Sequence, residues 1–516
     1  MKTFNASEWA IKHKSLVVYF MLVIALAGLI TYFKLGREED PPFTIKTMVV
    51  KTLWPGATTQ ETIKQVTDRI EKKLEQLPNL DYLKSYSKPG ESVVFVNLKD
   101  STRASDVPDL WYQVRKKVGD IRQTLPEGVQ GPFFNDEFGD TYSLIFALTS
   151  DGFGQRELRD YAERVRAELL GVPDVSKIDL LGTQDEKIYL EFSTQQLAAM
   201  GLDISELIQT LQAQNAIQPS GTVDSDAEKI AIRVSGQFTS EESLKAINFR
   251  FNGRFFGLSD IAKVQRGYAD PQQPIFRYNG RSAIGLAVSM RKNGDVLAFG
   301  EHIKERLAKA TADLPAGIES HLVANQPEVV EEAVGEFIKT VIEAIVIVLA
   351  VSFLSLGWRP GIVVAIAIPL VLAITFVSMK LLGVSLQRIS LGALIIGLGL
   401  LVDDAMIAVE MMIKKLEEGC DKVTAATFAY TSTAFPMLTG TLVTIAGFVP
   451  VGFAASSAGE YTFTLFAVVG IALTASWFVA VLFTPLAGVF ILPEVTAMSR
   501  RALLGHSTPC STECCI

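Results

Sequence analysis

Residues Ser390–Met412 read SLGALIIGLGLLVDDAMIAVEMM, an apolar, glycine-spaced run in which two adjacent carboxylates, Asp403 and Asp404, stand just past the middle. As a helix the run is roughly 35 Å long, enough to cross a bilayer with both acids inside the hydrocarbon. Each acid at that depth costs about 2.5–3.5 kcal/mol, so two in succession need a reason, and the usual one is movement of protons or ions. Helical neighbours differ by about 100°, which points the two acids into adjoining sectors. Gly399 lies one turn before Asp403, while Gly397 and Ala408 share the Asp404 face. Small residues there let another helix approach closely, so both acids are expected to face the bundle interior. A carboxyl that can be neutral or charged at membrane depth suits a proton carrier.

Working outward, the apolar runs fall in 16–33 and 337–492, whereas 34–336 is charge-rich. Leu16–Phe33 carries no charge and follows Lys2, Lys12 and Lys14. A cleaved signal peptide ending near Ala25-Leu26-Ala27 is the alternative, but the run continues to membrane-spanning length and reads as a first span with its N-terminus in the cytoplasm. Further spans are expected at about 337–356, 362–382, 389–412, 434–453 and 463–484. Arg359, then Lys414, Lys415 and Lys422, then Arg500 and Arg501 occupy the three cytoplasmic positions of a six-span arrangement. The large domain after the first span therefore belongs on the far side of the membrane. The net charge of −8 and the lack of a basic cluster argue against nucleic acid. Its four cysteines are Cys420, Cys510, Cys514 and Cys515, so the soluble part has no disulfide framework.

The soluble part repeats. TIKTMVVKTLW (44–54), a helix ending EKKLEQLPNLDYL, the strand SVVFVNL and a helix closing with Leu-Pro-x-Gly find counterparts in YSLIFALTS, RELRDYAERVRAELLGVPDVSKI and EHIKERLAKATADLPAGI. These predict two βαββαβ units of the split βαβ, ferredoxin-like kind. Pro78 and Pro126 stand 48 residues apart, but Pro173 and Pro315 stand 142 apart, which places an insertion of about 94 residues in the second copy. The expected organisation is a cytoplasmic N-terminus and first span (1–36), a first unit (37–130), a second unit (131–178 and 273–327), an inserted subdomain (179–272), five spans (328–495) and an atypical tail (496–516). Gln212–Val223 is a candidate protruding loop, suited to contact with a neighbouring chain or simply a surface loop. The tail reads as a truncated or frame-shifted end rather than a metal or lipid site, since no cysteine stands fourth from its end.

GLLVDDAMIAVE resembles the fourth-helix signature of resistance–nodulation–division (RND) efflux pumps, in their hydrophobe/amphiphile branch. REEDPPF after the first span, WPGAT at 54–58 and FTPLAG in the sixth span resemble the same family, over about residues 8–495. The resemblance implies a secondary transporter, not an enzyme: an inner-membrane drug/proton antiporter for amphiphilic small molecules. It implies a homotrimer with a periplasmic adaptor and an outer-membrane channel, and Asp403 and Asp404 as proton-relay acids. It also makes the two units porter subdomains and the insertion a docking subdomain whose loop reaches the next protomer. Two features depart from the pattern. Glu410-Met411-Met412 stands where the family has Glu-Asn, and the family has two such halves, the second supplying the lysine that partners the acids. The chain alone is therefore expected not to pump.

Competing readings are a Sec-type export subunit, whose related motif has one acid followed by Ala-Asn, and a non-transporting protein that associates with full-length pumps. Met406, Met411 and Met412 suggest a soft-metal path, though membrane methionines usually just fill space. Phe133, Phe134, Phe138, Tyr142 and Phe146 could line an apolar cleft at the start of the second unit. His13, His302, His321 and His506 show no ligand spacing, and no phosphate loop, nucleophile motif or cofactor signature appears.

Overall fold

A computed structural model describes residues 5–493 except 138–140, 202, 216, 225–228, 236–237, 239, 252–253 and 293. The tail at 496–516, with His506 and three cysteines, and Phe138 lie outside the described residues.

The first soluble unit is built on β1 (Thr47–Leu53), β2 (Leu80–Lys88), β3 (Glu91–Leu98) and β4 (Gln130–Asn135). They form an antiparallel sheet in the order β2-β3-β1-β4. The chain enters its first helix through Thr58 and Glu61, which cap each other's backbone amides. Helix Val107–Asp120 presents Val107, Leu110, Trp111, Val114 and Val118 at helical spacing to Met48, Val50, Val94 and Val96 on one sheet face.

The second unit repeats the pattern with β5 (Leu144–Ser150), β6 (Val175–Leu181) and, after an excursion, later strands. The excursion holds β7 (Glu186–Phe192), β8 (Ile217–Asp224), β9 (Lys229–Ser235), β10 (Asn248–Phe251), β11 (Arg254–Gly257) and β12 (Ala262–Tyr268). These pair as the hairpins β8-β9 and β10-β11 and the ladder β7-β12. Gln212–Val223, expected as a loop, is the end of helix Ile204–Gln214 and most of β8. The chain then returns as β13 (Phe276–Tyr278), β14 (Arg281–Met290) and β15 (Ile318–Asn325). The order β6-β14-β5-β15 reproduces that of the first sheet, with β13 added along β14. Helix Val296–Ala312 drives Phe299, Ile303 and Leu307 into this core, where Phe299 is 1% exposed. Truncating Phe299 to alanine is expected to cost about 3–5 kcal/mol. Urea unfolding of the purified chain checks this, and a change under about 1 kcal/mol would contradict this packing.

Among the described residues six helices are long and apolar enough to cross a membrane: Lys14–Lys34, Gln326–Ser355, Trp358–Leu382, Arg388–Glu417, Lys422–Gly452 and Ser457–Ile491. The chain is thus a multi-pass membrane protein with a sheet-rich soluble part. The second span starts directly where β15 ends, with no intervening loop. In its most apolar 18-residue stretch each of the third and fourth spans is 56% buried, against 11% for the first and second, so the third and fourth lie nearest the centre of this chain's bundle. The sixth span contains a π-helical turn, Val479–Phe483. Pro485, four residues after Val481, has no N–H to offer its carbonyl. Ser7, on the short helix Ala6–Lys12, donates its hydroxyl to that carbonyl at 2.7 Å.

Candidate functional site

The fourth span buries Leu394, Gly397, Leu401, Asp404 and Ala408, a stripe at three- and four-residue spacing that faces the fifth and sixth spans. Asp404 lies on this stripe and is 9% exposed. Thr441 of the fifth span directs its hydroxyl at Asp404 Oδ2 over a long 3.5 Å and donates more closely, at 2.9 Å, to the Met437 carbonyl. Ser476 of the sixth span donates to the Leu401 carbonyl at 2.8 Å, one turn before the acid. Trp477 Nε1 donates to the Ala434 carbonyl at 2.9 Å and ties the fifth span to the sixth. Three helices therefore meet around one carboxyl.

Asp403 is placed differently. It lies on an exposed stripe with Ile396, Gly399, Ile407 and Glu410. Asp404 is packed within this chain, whereas one helical step carries Asp403 off that packed face and onto the chain's exposed one. Among the described residues no lysine, arginine or histidine forms an ion pair with either acid. What the arrangement can do is hold one carboxyl among hydroxyls that donate or accept, beside a second acid open to the bundle surface.

The weaker candidates disperse. Met412 is fully buried against Leu416, Ala425, Ala429 and Leu492, which is packing. Among the described residues no three His, Cys, Asp or Glu side chains gather into a metal-sized group. The aromatic run is divided: Phe133 and Phe134 sit on β4 in the first sheet, Phe146 is buried in the second core, and Tyr142 donates to Asp179 at 2.9 Å. His321 stacks on Tyr278 at 4.5 Å and meets Thr149 at 3.1 Å. Thr441 and Ser476 were not singled out from sequence. Mid-span hydroxyls are a weak signal, since Ser and Thr usually bond the carbonyl four residues back.

The sequence model describing the AcrB/AcrD/AcrF family matches residues 6–512. The chain belongs to the AcrB/AcrD/AcrF family. It is an RND-family transporter chain, as GLLVDDAMIAVE implied. An uncharacterized transporter of Haemophilus influenzae is 25% identical over 502 residues, covering 97% of this chain and 47% of the relative. The multidrug resistance protein MdtC of Yersinia enterocolitica is 25% identical over 464 residues, 88% of this chain and 45% of MdtC. The cation efflux system protein CzcA of Alcaligenes sp. is 26% identical over 522 residues, 96% of this chain and 48% of CzcA. The chain spans about half the length of these curated relatives.

Proposed function

We propose that this chain is the N-terminal half of a proton-driven RND efflux transporter that exports amphiphilic small molecules across the bacterial inner membrane. Asp403 and Asp404 are its relay acids. The observation that carries this reading is Asp404, an acid buried at mid-span where three helices meet. An acid so placed is tolerated when its proton has work to do. In this reading the complementary half supplies a cation to the exposed Asp403 stripe, and the chain does not pump alone.

The two soluble units, with their shared strand order, are ferredoxin-like porter subdomains on the periplasmic side, and the β7–β12 excursion is the docking subdomain. The assembly is a homotrimer with a periplasmic adaptor and an outer-membrane channel. Likeness to CzcA supports a second reading, export of divalent cations by the same half. The adjacent acid pair favours the first.

Dye accumulation tests the proposal in efflux-deficient cells that make the chain alone, a complementary second half alone, or both. Export is expected with both and absent with either half. Export by the chain alone would overturn the two-half reading, and resistance to zinc or cobalt without dye export would favour the second. In the two-half assembly Thr441→Val, which keeps volume and removes the hydroxyl, is expected to slow dye export about threefold to tenfold. An unchanged initial rate would remove Thr441 from the site.

A further inference from the structure

Among the described residues two charged side chains are buried, Asp404 and Lys46, and the sixth span touches the surroundings of both. Lys46 precedes β1, and its own carbonyl accepts from the Leu98 amide at 2.9 Å, which fixes it to the sheet. Its ammonium donates to the Asp100 carbonyl at 2.6 Å and pairs with Glu460 Oε1 at 3.0 Å and Asp100 Oδ1 at 3.8 Å.

Glu460 lies in the first turn of the sixth span. Its second oxygen accepts the Thr44 amide at 3.0 Å, so one carboxylate grips two points of the strand entry. Asp100 works in the opposite direction. From the end of β3 it accepts the Ser457 hydroxyl at 2.7 Å and the Ser457 amide at 2.9 Å, where a helix N-terminus favours negative charge. Those bonds from Ser457 hold the Asp100 carboxyl below the usual carboxylate range. Tyr461 adds a hydrogen bond to Asp40 at 2.8 Å. The first turn of the sixth span is thus fastened to the first sheet from both sides, with a desolvated ammonium at the centre.

Helix Ser457–Phe478 contains no proline, and Ser476 lies about 24 Å along it from Glu460, beside the fourth span. We propose that Lys46 is a latch that makes the sixth span and the first soluble unit move as one body. Displacement of the helix beside Asp404 then reaches the first sheet instead of being lost in the link 36–45. The use of that motion in transport rests on the proposed relay; the latch itself does not.

Hydrogen–deuterium exchange of the whole chain in lipid nanodiscs tests this with Lys46→Met, Glu460→Gln and the double variant. Each single change is expected to raise exchange at 44–53 and 456–462 at least tenfold while helix Val107–Asp120 keeps its protection, and the double variant is expected to match the larger single effect. Unchanged exchange, or effects that add, would overturn the latch. Should Lys46→Met unfold the first unit, Glu460→Gln is read by spin labels at Lys116→Cys and Thr474→Cys in a chain free of its native cysteines. The label distance is expected to be narrow in the parent and broadened in Glu460→Gln, and equal widths would overturn the proposal. Neither readout needs transport. A silent Asp404→Asn would sink the relay and leave the latch standing, whereas unaltered exchange in Glu460→Gln would sink the latch alone.

Discussion

Asparagine at position 404 is expected to abolish concentrative export by the two-half assembly. The substitution keeps the size of the side chain and leaves an oxygen to accept from Thr441, so the packing of the three spans around it survives. What it removes is the proton site. One proton crossing 100 mV is worth about 2.3 kcal/mol, equivalent to a roughly fifty-fold concentration ratio per proton coupled. Asp404→Asn should therefore collapse a gradient of that order to unity while protein level and thermal stability stay near the parent's. Steady-state dye accumulation in energised cells measures it, with a protonophore as the zero reference. Wild-type accumulation in the variant would remove Asp404 from the relay.

A second large effect is expected far from the acids, at Gly28. A Cβ there would lie 2.3 Å from the Cβ of Ala373 and 2.4 Å from its Cα. Real carbon atoms do not approach so closely, and the obstructing atoms belong to the third-span backbone and its first side-chain carbon, which cannot swing aside. The first and third spans touch because nothing stands between them, the close approach that small residues allow in membranes. Gly28→Leu must push the first and third helices apart. The expected cost is about 3 kcal/mol or more, at the upper end of overpacking effects, with Gly28→Ala smaller in the same direction. Thermal unfolding in detergent with size-exclusion chromatography checks this. A monodisperse variant with the parent's melting temperature would contradict the close contact.

Of these two positions the sequence makes Asp404 legible, while the Gly28 contact with Ala373 emerges only in the fold. The acid pair stands out because charge in an apolar run is costly, and the six spans stand out because each is a long, mostly apolar stretch. The shared strand order of the two units was foreshadowed by the repeated Leu-Pro-x-Gly ending. Other features were hidden for physical reasons. Asp403 and Asp404 look equivalent in the sequence because glycines flank both sectors, yet one helical step separates a packed face from an open one. Pro219 and Gly221 make QPSGTV read as a turn, but β8 takes them into a ladder with β9 through a register shift between those two residues. Lys46 looks like any lysine at the head of a strand. Its burial depends on Asp100 and Glu460, which the fold alone brings to it.

The measurement that bears most directly on the whole account is proton flux through the two-half assembly in proteoliposomes. An imposed pH gradient and a pH dye inside the vesicles report it on addition of an amphiphilic substrate. Substrate should accelerate proton movement with the parent chain, and Asp404→Asn should reduce the flux to that of protein-free vesicles. Substrate-stimulated proton flux of parental size in Asp404→Asn would contradict the claim that this buried carboxyl carries the proton.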